Sequence, residues 1–184
     1  ADLIQRAIKL EQQNFLYIKA LGSPWVQFNG HTLNLSHRQI EILCILALYP
    51  HGICLEELHY ALYGERSVSL KTLKAELSQL RSLLPHSIEA RIYRLSCEVQ
   101  CDFLRAEQSL NANLISSTFS LYKGSFLSKS ESPLLSTWRH CFDARLSQLI
   151  YQIKDIDQLL RIIGQTHDRI DAIQRLLELL PQDS

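Results

Sequence analysis

Two groups of residues in this 184-residue chain are of types and spacings that could do chemistry, and they point to different kinds. The first is thiol and imidazole. Cys97 and Cys101 form C-x3-C, and His140-Cys141 comes 39 positions later. Structural zinc is held by tighter pairs, usually C-x2-C with a second matching pair, so this spacing argues against a metal site. A thiolate nucleophile needs an activating base and donors for the oxyanion. No Gly-rich turn that could supply oxyanion donors stands beside any of the five Cys. Phosphate-cradling, nucleophile-elbow and H-E-x-x-H motifs are absent, and the six Gly are scattered. With an odd Cys count and no secretory leader in view, the thiols read as small, reduced, half-buried side chains. The second group is Lys71, Thr72, Lys74, Ala75, Ser78, Gln79 and Arg81, with Arg91 and Arg94 beyond them. Short side chains bordered by bases suit entry into a DNA groove. Small residues permit close approach, bases meet phosphates, and an amide such as Gln79 can bracket adenine.

For that row to act together it must lie on one face of a helix held by its neighbours. Leu70, Leu73, Leu77, Leu80 and Leu84 fall in one arc at about 100° per residue. Lys71, Thr72, Ala75, Ser78, Gln79 and Ser82 fall in the opposite arc, with Lys74 and Arg81 at its border. Ser67 or Ser69 caps this helix, and Pro85 comes after it. Upstream, Ser36 and Gln39 form a capping box that opens a helix with the stripe Ile40, Leu43, Cys44, Ala47 and Leu48, ended by Pro50 and Gly52. A shorter helix spans Leu55 to Tyr63 and stops at Gly64. Residues 87–95 read as a small hairpin. Ahead of the helices, residues 16–35 alternate and turn at Gly22-Ser23-Pro24 and Asn29-Gly30, predicting a short antiparallel meander. From Phe103 the spacing predicts helices over 103–110, 115–122, 134–153, 156–163 and 167–180. Residues 1–15 have near-helical spacing and read as a linker or the tail of an upstream domain.

The chain is neutral overall, with 19 Lys+Arg against 19 Asp+Glu. A neutral total gives no general attraction to nucleic acid. Its distribution does: residues 66 to 94 hold six bases and two acids, while residues 97–184 sum to −2. The longest apolar run, 42–49, is far short of the ~20 residues of a membrane span. No membrane partner is expected, and the expected compartment is the cytoplasm. The chain contains no Met, and the expectation is that it is the effector end of a larger regulator with a sensor domain upstream.

Residues 16–96 resemble the OmpR-type winged helix. The resemblance rests on Leu21-Gly22 after the leading strands, Leu33-Asn34-Leu35-Ser36 before the first helix, and Glu56-Glu57-Leu58 with Leu62-Tyr63 in the second. Leu77-Ser78-Gln79-Leu80-Arg81 and Tyr93-Arg94-Leu95 complete it. It departs from the pattern at Tyr63, where Trp is usual, and at Ile92, where Gly is common. Residues 97–184 resemble the bacterial transcriptional activator domain, through Cys101-Asp102-Phe103, Leu121-Tyr122-Lys123-Gly124-Ser125-Phe126-Leu127 and Trp138-Arg139. The resemblance implies a DNA-binding transcription regulator with tetratricopeptide-like helices behind the reader and RNA polymerase among its partners.

The resulting expectation is an α+β chain. Residues 1–15 are a linker, 16–96 a winged helix-turn-helix with an N-terminal antiparallel meander, and 97–184 an all-α bundle for dimerisation or docking. It binds double-stranded DNA, most simply as an activator, and needs no cofactor, metal or catalytic residue. Two other classes remain open: a winged helix that serves as a protein-interaction scaffold, and a Cys-dependent enzyme.

Overall fold

The computed structural model describes residues 13–166 and 168–181. The expected linker or domain tail over 1–15 lies outside the described residues except at its end, where Phe15 opens a strand. The meander is present as β1 (Phe15–Lys19), β2 (Trp25–Phe28) and β3 (His31–Leu33). β2 and β3 pair antiparallel with Phe28 opposite His31, across a turn in which Asn29 and Gly30 both have positive φ. Alternation sets the buried face of β1 and β2, where Leu16, Ile18 and Val26 are buried.

Three helices come next. α1 (His37–Leu48) opens on the expected capping box: Ser36 Oγ accepts from the Gln39 backbone at 3.2 Å, and Gln39 Oε1 accepts from the Ser36 backbone at 3.0 Å. Burial runs unbroken from Gln39 to Leu46, so α1 is covered on every side rather than along one stripe. α2 (Leu55–Tyr63) ends at Gly64, whose φ of 59° closes the turn. α3 (Leu70–Leu83) is capped by Ser69, not Ser67. Leu73, Leu77, Leu80 and Leu84 are buried, whereas Leu70, predicted on the apolar side, is 38% exposed. Each buried leucine contributes ~1.5–3 kcal/mol, enough that these four fix which face of α3 is turned out.

β4 (Ile88–Glu89) and β5 (Arg94–Leu95) form the predicted hairpin. Its far side is pinned by Ile53, which exchanges two backbone hydrogen bonds with Tyr93 at 3.0 and 2.8 Å. Beyond the hairpin the structure differs from the all-α expectation. β6 (Glu98–Cys101) runs parallel to β1, with Phe15 opposite Glu98 and Ile18 opposite Cys101, giving a sheet in the order β3-β2-β1-β6. Its four residues, Glu-Val-Gln-Cys, are too few for a period of two to announce itself.

The described residues fall into two compact units. One comprises 13–18, 25–101 and 131–134, and the other 19–24, 102–130 and 135–181. The second is built from α4 (Asp102–Asn111), α5 (Ile115–Leu121), α6 (Pro133–Gln152), α7 (Ile156–Gln165) and α8 (Ile170–Leu179). α4 packs with α5, and α7 with α8. Trp138 stacks on Phe142 at 4.9 Å and meets Phe126 at 4.5 Å and Phe103 edge-on at 5.3 Å. It anchors the core of this unit, as expected of a Trp. Asp102 accepts from the backbones of Ala20 at 2.8 Å and Leu21 at 3.0 Å. A Cβ on Gly22 would lie 2.6 Å from the Lys123 carbonyl, so the two strands of backbone touch at glycine. Arg139 donates to the carbonyls of Phe126, Leu127 and Ser130, fixing the loop before α6. The residues that carry the activator-domain resemblance are therefore structural ties of this unit.

Candidate DNA-binding face

The outer face of α3 is a helical row with Lys71, Ala75, Ser78 and Ser82 along its crest. Lys74 and Arg81 border one side, Thr72 and Gln79 the other, and all of these residues are exposed. Glu76 is the single carboxylate of α3, and its Oε2 is buried. The face itself is thus free of acid. Among the described residues Lys71, Lys74, Arg81 and Arg91 join no ion pair.

The hairpin adds a tip. Arg91 is exposed with φ of 75°, and Ile92 beside it is 58% exposed. Gly52 lies beneath: with φ of 96°, a Cβ there would be 2.3 Å from Ile92 Cγ2. The loop after α1 and the hairpin tip are fitted to one another.

Three of the nine sequence-predicted site residues have partners within the protein. Arg94 donates through Nη2 to both carboxylate oxygens of Glu89 at 2.8 Å, its cross-strand neighbour. That contact holds the guanidinium even more firmly protonated than usual. Thr72 shares a 3.0 Å hydroxyl hydrogen bond with the cap residue Ser69. Gln79 Oε1 accepts from Gln39 Nε2 at 3.0 Å. Lys71, Lys74, Ala75, Ser78, Arg81 and Arg91 keep open, solvated side chains.

Arg66, one of the six bases in the positive stretch, is turned to structure. Its guanidinium meets Glu131 through both Oε2 and the backbone carbonyl at 3.0 Å, and also the Tyr63 carbonyl. Nearby, His59 Nε2 is 2.6 Å from the Val68 carbonyl, which can only accept, so that ring nitrogen is the protonated one. These contacts lock the turn that sets α3 against α2.

Burial pushes the Cys97 thiol up, the opposite of an activated nucleophile. Among the described residues no three His, Cys, Asp or Glu side chains gather as a metal site. Nor is any described helix long and apolar enough to cross a membrane.

No protein-family model matches the chain. Over 153 residues it is 27% identical to an uncharacterized 47.3 kDa protein in the thcA 5′ region of Rhodococcus erythropolis, covering 83% of this chain and 35% of that protein. The chain thus spans about a third of the length of that curated relative. Its fold is similar to that of Mycobacterium tuberculosis EmbR, solved in complex with a low-affinity phosphopeptide. The TM-score is 0.57 at 16% identity, over 91% of this chain and 55% of EmbR.

The chain shares the fold of about half of EmbR. Within that fold, the sequence locates the crest of α3 and the hairpin bases but not the residues that restrain them. Gln39 is visible there only as half of a capping box, and Glu89 only as a subtraction from the local charge. The alternation of β4 and β5 across a tight turn is the one signal that could pair Glu89 with Arg94.

Proposed function

We propose that this chain reads double-stranded DNA in a transcription regulator, seating α3 in the major groove. Lys71, Thr72, Lys74, Ala75, Ser78 and Gln79 face base edges, Arg81 and Arg91 hold phosphates, and Arg94 joins them once released by Glu89. The observation that carries this reading is the acid-free outer face of α3, with the unpaired base Lys71 on its crest and Lys74 and Arg81 at its border. The EmbR-like fold and the OmpR-type resemblance of residues 16–96 support it.

The experiment is a salt titration of the full chain on mixed-sequence duplex DNA. Contacts with phosphates release counterions, so the logarithm of affinity should fall linearly and steeply with that of salt. Lys74→Glu with Arg81→Glu should abolish binding at fixed salt while leaving the thermal midpoint unchanged. A flat salt response would overturn the reading and favour the protein-interaction scaffold.

The helical unit supplies the partner surface. Ile170, Ile173 and Leu177 stand one helical turn apart on α8, exposed to 67%, 44% and 62%, and Leu160 of α7 is 50% exposed. Our reading is that a second copy covers this row, placing two readers on the half-sites of one operator, in the cytoplasm and as an activator working with RNA polymerase. Light scattering should then show a dimer that Ile173→Asp with Leu177→Asp converts to a monomer. A wild-type monomer would overturn the dimer.

A further inference from the structure

We infer that Gln39, buried beneath α3, determines which end of the Gln79 amide meets DNA, and that it makes Gln79 a hydrogen-bond donor selecting guanine. This rests on the reading of α3 as the DNA-binding face.

Polarity passes along a chain of hydrogen bonds. A backbone N–H can only donate. The Ser36 N–H therefore identifies the Gln39 atom 3.0 Å away as its oxygen, Oε1. The other end of that amide is then the NH2 group, and it points at Gln79 with a separation of 3.0 Å. An NH2 group donates, so the Gln79 atom facing it is the carbonyl oxygen. Gln39 is 4% exposed and held at both ends, which leaves it no way to turn over. The Gln79 NH2 is the end left free on the exposed side of α3.

An unrestrained glutamine offers a donor and an acceptor side by side and brackets adenine at N6 and N7. With Oε1 turned inward to Gln39, the end of the Gln79 amide left outward is the NH2 donor. The base edge that matches donors alone in the major groove is guanine, whose O6 and N7 are both acceptors. Gln39 is accordingly a positioning residue: it touches no DNA and sets specificity through Gln79.

The test inverts the polarity without removing the cap. In Gln39→Glu one carboxylate oxygen still accepts from the Ser36 N–H, preserving the capping box. Above the pKa of that carboxyl, the other oxygen is an acceptor facing Gln79, which then turns its NH2 inward and presents its oxygen to DNA, so the selection is run at about pH 8 and above. Selection from a random-sequence duplex library should give wild type a guanine at one position, favoured about tenfold over adenine, a contact-sized discrimination. Gln79→Ala should erase that preference, and Gln39→Glu should move it to adenine or cytosine, the bases that present an N–H donor. Gln39→Met, which removes both hydrogen bonds, should leave guanine and adenine nearly equal. Thermal midpoints of all three variants confirm the fold, and preferences are compared as ratios within one protein, so the added charge of Glu cancels. The same guanine preference in Gln39→Glu as in wild type would overturn the inference. So would a Gln79→Ala protein that loses affinity equally for every sequence, since Gln79 would then be holding a phosphate. A wild-type chain with no salt-dependent affinity for any duplex would instead overturn the reading of α3 itself.

Discussion

Glu89 and Arg94 face one another across the hairpin, the Arg94 Nη2 donating to both carboxylate oxygens at 2.8 Å. Both side chains are nearly half exposed, at 46% and 44%. An ion pair so solvated contributes little, and a phosphate can displace the carboxylate. The hairpin therefore holds one of its two bases in check. Glu89→Gln should strengthen binding to duplex DNA and steepen the log–log salt slope by about one unit, the signature of one more neutralised phosphate. Fluorescence anisotropy across a salt titration measures both; an unchanged slope would mean that Arg94 never reaches DNA.

Arg66 makes the opposite case. It belongs to the same positive stretch, yet its guanidinium is taken up by Glu131 and the Tyr63 carbonyl. Arg66→Ala should cost about 1 kcal/mol of stability and leave the salt slope at the wild-type value. Calorimetry and the binding titration together separate the two effects.

Asp102 accepts from three backbone N–H groups, those of Ala20, Leu21 and Phe103. Asp102→Asn turns an NH2 group toward one of those donors, leaving a buried N–H without an acceptor, and should cost about 1–3 kcal/mol. Chemical denaturation gives the number.

The same carboxyl has a pH signature. Burial raises its pKa above the ordinary 3.8, against the lowering effect of the backbone hydrogen bonds and Lys19. In the interval between 3.8 and the raised value the folded chain binds more protons than the unfolded one. The contribution of Asp102 to stability thus grows as pH falls through that interval and is lost as pH rises. Thermal midpoints should show wild type losing less on mild acidification than Asp102→Asn, whose position 102 does not titrate.

Gly52→Ala should destabilise the chain by about 1–3 kcal/mol, the usual cost of a residue forced into a backbone region it avoids. Its Cβ would also strike Ile92. Ile92→Ala in the same chain should recover part of the loss, the part due to the clash, and denaturation midpoints of the single and double variants would show whether it does.

The three helices and the hairpin are legible in the sequence because their signals are local. Ser36 with Gln39, Gly64 and Asn29-Gly30 each specify a cap or a turn within a few residues. The features that escape a reading of the sequence depend on partners far along the chain. β6 is a strand because β1 lies beside it, 83 positions earlier in register. The face of α3 is legible from period and charge, whereas the restraint on Gln79 is not. A hydrogen bond across 40 positions, such as Gln39 to Gln79, leaves no trace in either segment alone.

The division of the chain into units has a consequence for protein engineering. The first unit is assembled from three stretches and the second from three, so the polypeptide passes from one to the other at 18/19, 24/25, 101/102, 130/131 and 134/135. No single cut frees either. A chimera joined just after the hairpin, at residue 96, would leave β6 behind and carry away the 20–22 segment that Asp102 and Gly124 hold. Residues 16–96 therefore cannot be exchanged as a cassette without breaking into both units.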